Sequence, residues 1–286
     1  MMFPMRLPLT LALVCLAAAL AGCERVPELE ATVETAATGP LRVGVLPQAS
    51  AEALRALHAP IVAELSRRTG RAAELVLAPR YDDLGYLLAA GSVDLAWLSD
   101  ATLADAQAKG DAVPLVRAVR AGSDTYRGVI AVRAGSGIRA LGDLRGRTFA
   151  YVDRLSGSGF VRCNQLLVSA GIDPAHDFKA ISFTGSHAAS LEALKSGACD
   201  GAALVESLIA APAAAGELPV LARTEPIPNQ TLVASRHLAE PMRAAVKKAF
   251  LEMSKDEAGK RVLAAVRALD PLEGFVAVEA SVPPAR

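Results

Sequence analysis

The sequence predicts an α/β protein, and three features carry that prediction. Short β-branched runs alternate with segments of helical spacing along most of the chain. Helical segments of roughly ten or more residues between strands call for crossover connections, and so for largely parallel pairing. Apolar residues make up 52% and charged residues 21%, enough core for about two domains over 286 residues.

The first stretch reads as an address. Arg6 is the only charge before Glu24, and 7–22 is an apolar run interrupted by Pro8 and Thr10. As a helix it would span about 24 Å, short of a hydrocarbon core of about 30 Å, which is signal-peptide length. The run ends Leu20-Ala21-Gly22-Cys23, which resembles a bacterial lipobox. Residues 1–22 are therefore expected to be a lipoprotein signal peptide, with Cys23 lipidated. Residues 23–40, rich in Ala, Thr, Glu and Pro, are expected to form a flexible tether. The expected location is the periplasmic face of a bacterial membrane, with the protein exported and held there by lipid.

The body then alternates in order. Residues 41–46 read as a strand and 51–68 as a helix, with Leu54, Leu57, Ile61 and Leu65 on one face and Gly70 as its stop. A strand at 74–78, a helix near 81–90, a strand at 94–98, a helix at 102–109 and a strand at 113–119 follow. Strands at 127–133 and 147–152 open a second cycle. It continues with a helix at 159–170, a strand at 178–183, a helix at 187–196 and a strand at 201–205. Pro226-Ile227-Pro228 reads as a connector, 230–235 as a strand, and two helices at 241–253 and 256–269 are expected to close the chain.

Composition excludes several functions. Thirty basic residues balance thirty acidic ones, so nucleic acid is not an expected partner. Aromatics are 4%, with a single Trp97, which leaves little stacking surface for sugars or bases. His58, His176, His187 and His237 form no HxxH or HExxH pattern, so no metal or other cofactor is expected. No nucleophile–base pair or paired carboxylates stand at suggestive spacing, which favours a binder over an enzyme. Two cysteines remain in the mature body, Cys163 and Cys199. Outside the cytoplasm they are free to form a disulfide; the alternatives are two independent buried thiols or a soft-ligand pair for a thiophilic oxyanion such as arsenite.

One segment looks chemical. Tyr151-Val-Asp-Arg-Leu-Ser156-Gly157-Ser158-Gly159-Phe160 runs from a strand through small residues into a helix. Free N–H groups at a helix start, the macrodipole and two hydroxyls make an anion receptor, and glycines allow close backbone approach. The same residues are also an ordinary cap and turn. The spacing fits neither a P-loop nor a nucleophile elbow. Phe183-Thr-Gly-Ser186-His187 places a histidine just after another strand. Arg154 and Arg162 flank the loop as solvated cations.

The order of these pieces resembles the phosphonate/phosphite-binding branch of the periplasmic solute-binding proteins of ABC importers. It is carried by Leu41-Arg-Val-Gly-Val-Leu-Pro-Gln48, Tyr81, Gly91-Ser-Val-Asp-Leu-Ala-Trp-Leu98, Tyr126, Leu141-Gly-Asp-Leu-Arg-Gly-Arg147, Tyr151-Val-Asp153 and residues 156–159. Gly185-Ser-His187, Gly197-Ala-Cys-Asp-Gly201 and Glu225-Pro-Ile-Pro228 complete it. The resemblance implies a two-lobed type II clamshell, each lobe a mixed, mostly parallel sheet flanked by helices, with the cleft at a hinge crossed twice. One lobe would be 41–125 plus 226–286 and the other 126–225. By position, Ser156, Ser158 and the amides of Gly157 and Gly159 would hold an oxyanion with His187, while Tyr81 and Tyr126 donate hydroxyls. Glu206 and Asp200 are the candidates for an amine on the ligand. If Cys163 and Cys199 pair, they would brace the second lobe.

The chain departs from that family at three places. Gly157 stands where the loop commonly carries Thr, Ala188 where an acidic residue follows the histidine, and Ser99-Asp100 where Gly-Pro follows the Trp strand. Asp100 is thereby expected near the mouth of the first lobe, repelling a dianion or attracting an amine. The resemblance implies a monomer that captures a phosphonate, phosphite or phosphate and passes it to an ABC permease. A periplasmic oxyanion sensor for a histidine kinase, including a thiol-dependent arsenite receptor, is the alternative.

Overall fold

The computed structural model describes residues 39–109, 112–210 and 218–278; the expected signal peptide, Cys23 and nearly all of the expected tether lie outside the described residues. The chain begins with β1 (Leu41–Val45), α1 (Ala51–Thr69), β2 (Ala73–Leu77), α2 (Asp83–Ala89), β3 (Leu95–Leu98), α3 (Asp100–Ala108) and β4 (Ala112–Arg120). Next come β5 (Thr125–Tyr126), β6 (Gly128–Val132), β7 (Thr148–Tyr151), a π-helical turn (Gly157–Val161) and α4 (Arg162–Ser169). Then follow α5 (Pro174–Asp177), β8 (Ala180–Phe183), α6 (His187–Ser196), β9 (Gly201–Val205), α7 (Glu206–Ala210) and β10 (Val220–Arg223). The last elements are β11 (Ile227–Pro228), β12 (Thr231–Ser235), α8 (Glu240–Met253), α9 (Glu257–Val266) and β13 (Leu272–Ala277).

Local chemistry fixes these boundaries. Ser50 caps α1 by accepting from the Ala53 N–H at 3.2 Å, and Gly70 ends it at φ 69°. Ser186 and Gly197 bracket α6 in the same way, with Gly197 at φ 81°. Asp256 caps α9 from the Gly259 N–H at 2.9 Å and also receives Arg68.

The strands build two lobes in one clamshell. The first sheet has the order β13-β4-β12-β3-β1-β2, and the second β10-β6-β9-β7-β8. Each contains three parallel strands, β2-β1-β3 and β8-β7-β9, beside an antiparallel strand that is the first after a crossing between lobes: β12 beside β3, and β6 beside β9. Parallel pairing is therefore confined to one half of each sheet, because the strands that arrive from across the hinge run the other way. At the crossings β5 and β11 pair antiparallel, Tyr126 opposite Ile227.

Strand alternation divides the core. In β3, Leu95 and Trp97 face a cluster with Phe250 and Phe275, while Ala96 and Leu98 face one with Leu84, Leu88 and Val233. In the second sheet Phe149 and Tyr151 point to one face, and Ala150 to the other. Cys163 lies in the Phe149 cluster and Cys199 in the Ala150 cluster, both buried and free. They sit on opposite faces of a sheet, so the expected disulfide is not formed. Burial raises the Cys163 thiol to about 12; burial, then the charge of Asp200, raises Cys199 to about 11. A second correction concerns the C-terminal side, where β13 follows the two helices; Glu273 and Gly274 interrupt its apolar run.

Candidate functional site

A cleft of about 590 Å³ lies between the lobes, lined from the first by Leu46, Gln48 and Tyr81 and from the second by Ser156, Gly157 and Ser158, among others. The loop between β7 and α4 forms one end. Ser156 opens its turn, its Oγ accepting from the Gly159 N–H at 3.1 Å. Helical hydrogen bonding begins only with the N–H groups of Phe160 and Val161, each 3.0 Å from the Ser156 carbonyl. Gly157 and Ser158 precede that first bond, so their amides belong to the unsatisfied start of a helix. The Gly159 amide, expected to hold the ligand, is instead taken by Ser156, and Gly159 does not line the cleft. A Cβ there would run into the Val152 side chain, so its glycine serves the close packing of loop on strand.

The two phenols converge on this loop from the other side. Ser156 lies beside the Tyr81 hydroxyl and Ser158 beside that of Tyr126. Burial, then the charge of Asp153, holds the Tyr81 phenol well above its ordinary value. Burial and the nearby Asp100 push Tyr126 up to about 12. Both therefore stay protonated donors at neutral pH.

His187 begins α6 with its ring turned to the same point. The Val205 N–H donates to Nδ1 at 3.2 Å, so the ring hydrogen belongs on Nε2, which lies 3.3 Å from Ser158 Oγ. Burial pushes the imidazole down to about 4, leaving a neutral donor at pH 7. Hydroxyls, amides and a neutral imidazole stabilise an oxyanion without leaving an unpaired cation in an empty cleft.

The acidic candidates already have partners. Asp100 accepts from Arg162 of the opposite lobe at 2.8 and 3.0 Å. Arg162 is thus paired, while its side chain stays exposed. Glu206 lines the cleft and is already bonded by Arg223 at 2.6 Å. Asp200 lies outside it, accepting from the backbone and hydroxyl of Thr148 at 2.9 and 2.8 Å.

The sequence reading also missed one wall of the cleft. Arg120 donates through Nε to both oxygens of Asp270 at 2.8 and 2.9 Å and through Nη2 to Gln230 at 3.0 Å. Gln230 in turn donates to Gln48 at 2.9 Å. All four line the cleft. Arg120 and Gln230 flank the two crossings, where polar residues interrupt apolar runs; that was the available signal.

Comparison with known proteins agrees with this geometry. A family model described as the periplasmic substrate-binding protein of phosphonate ABC transporters matches residues 43–282. The phosphate-import protein PhnD of Mycolicibacterium smegmatis is 25% identical over 205 residues, spanning 68% of this chain and 64% of that protein. The chain thus spans less than two thirds of that relative's length. The binding component of a Pseudomonas aeruginosa phosphonate ABC transporter superposes with TM-score 0.75 at 22% identity, covering 84% of this chain and 82% of that one. PhnD1 of Prochlorococcus marinus in complex with methylphosphonate gives TM-score 0.73 at 20% identity, covering 84% and 92%. A match over this much of the sequence, on a two-lobed fold, means that the chain belongs to the family of periplasmic substrate-binding proteins of phosphonate ABC transporters, a family of binders and not of enzymes.

Proposed function

We propose that this protein captures a small phosphorus oxyanion, phosphonate, phosphite or phosphate, in the interlobe cleft and delivers it to an ABC permease. The observation that carries this reading is the convergence of Tyr81, Tyr126, Ser156, Ser158, the first loop amides and neutral His187 on one end of a 590 Å³ cleft. The lobes would divide at 125/126 and 225/226, which the β5–β11 pairing supports. A lipid on Cys23 would hold the receptor at the membrane, with residues up to 40 as the tether. A thiol-dependent arsenite receptor is disfavoured, since Cys163 and Cys199 sit on opposite faces of a sheet. Nothing in the site favours a sensor subunit.

Thermal unfolding against phosphite, methylphosphonate, 2-aminoethylphosphonate, phosphate and sulfate tests the reading. A ligand at about 100 times its Kd stabilises by about 2.7 kcal/mol, an upward Tm shift of roughly 5–10 °C for a body this size. Ser158→Ala removes a hydroxyl from a charge-assisted contact of about 1.5–3 kcal/mol, so affinity should fall roughly 10- to 150-fold. A panel in which no phosphorus oxyanion moves Tm overturns the reading.

A further inference from the structure

Asp100 is the charged residue whose surroundings the oxyanion site leaves unexplained. Its side chain is 10% exposed, on the first turn of α3. One carboxylate oxygen, Oδ2, takes both hydrogen bonds from Arg162. The other, Oδ1, is buried without a hydrogen-bond partner among the described residues. It lies where a Cβ on Gly157 would go: such an atom would overlap Oδ1 and stand 3.2 Å from the Tyr126 hydroxyl.

Gly157 needs no glycine for its backbone. Its φ is outside the left-handed region that other residues avoid. What excludes a side chain is the carboxylate arriving from the opposite lobe. A second contact runs alongside, Ser99 Oγ donating to the Leu155 carbonyl at 3.3 Å. Val152 and Leu155 of the second lobe pack into the apolar cluster of Tyr81, Leu46 and Leu98. The faces joined here are those that any opening of the cleft must separate.

We propose that Asp100 is a positioning residue for the anion loop, supplied in trans by the first lobe: it fills the place of the missing side chain at 157 and fastens the lobes through Arg162. Size and charge have separate parts in this arrangement. Glycine at 157 gives the carboxylate room, so a methyl group there holds the lobes apart. Arg162 neutralises a carboxylate that would otherwise be buried unpaired beside an anion site, which is costly. This inference does not depend on which oxyanion is bound.

Amide hydrogen exchange on the full chain, without ligand, tests it. Gly157→Ala should speed exchange in peptides covering 99–103 and 155–161 by about tenfold or more, while the second-sheet core at 201–205 is unchanged. Adding Asp100→Ala to Gly157→Ala should restore part of the protection, because the clash is removed while the Arg162 contact is lost with it. Adding Asp100→Asn, which keeps the bulk, should not. Arg162→Ala leaves the loop's shape alone and serves if Gly157→Ala does not fold; it too should deprotect both segments. Unchanged exchange in Gly157→Ala or in Arg162→Ala overturns the proposal, as does equal rescue by Asp100→Ala and Asp100→Asn.

Discussion

Acidification from about pH 7 to about pH 4 should cost the fold several kcal/mol through two histidines alone. His58 is 5% exposed, and burial, with the Arg120 charge second, lowers it from 6.5 to about 4. Burial lowers His187 by a similar amount. Each ring is neutral in the fold but protonates in the unfolded chain once the pH drops below 6.5. The unfolded state therefore binds more protons between those values, and stability rises with pH across the window. The contribution is complete above the unfolded pKa and fades as pH falls towards about 4. A displacement of this size corresponds to roughly 3 kcal/mol for each ring. Carboxylates such as Glu64 and Asp200, held low by their hydrogen bonds, act in a more acidic window. Urea unfolding at pH 7, 5.5 and 4.5 measures the effect. His58→Leu should remove about half of the loss, because the Nδ1 of His58 has no hydrogen-bond partner to forfeit among the described residues. Equal stability at pH 7 and 4.5 would show that neither ring is held neutral.

Phe149→Ala should be among the most damaging single changes, at about 3–5 kcal/mol. The ring is 1% exposed, stacked on Phe178 at 5.0 Å and tilted against Tyr151 at 4.8 Å. Opposite it, Gly201 offers a neighbour without a side chain: a Cβ there would stand 3.0 Å from the Phe149 ring. Filling the hole would require β7 and β9 to move together, so a cavity remains. At roughly 2–4 °C per kcal/mol the expected fall in Tm is about 6–20 °C. Calorimetry would resolve it, and a fall of under about 2 °C would mean the ring is not packed as described.

Much of this fold was legible because periodicity, caps and stops agree locally. The reading of α1 as 51–68 lies within a residue of its observed end, since Ser50 and Gly70 mark both limits. The place of the small-residue loop between a strand and a helix was legible, although the same residues also make an ordinary cap and turn. Its finer wiring was not. Whether the Gly159 amide faces the ligand depends on the rotamer of Ser156, which no spacing encodes. Asp100 and Arg162 are 62 residues apart, and nothing local couples them. The cysteines misled for the same reason, because a chain position does not state which face of a sheet a residue meets. β5 and β11 escaped notice since two-residue strands have no period to read.

The place of β12 in the first sheet has a consequence for biogenesis. It sits between β3 and β4, yet it is made after every strand of the second sheet. Throughout synthesis of residues 41–230 the first lobe lacks a middle strand, and β1 to β4 cannot close into their final sheet. The second sheet is built from one continuous stretch, β6 to β10, and can close first. Non-local pairing of this kind is slow to form. The first lobe therefore cannot be completed until β12 and β13 have emerged, whereas the second sheet has all its strands well before that point.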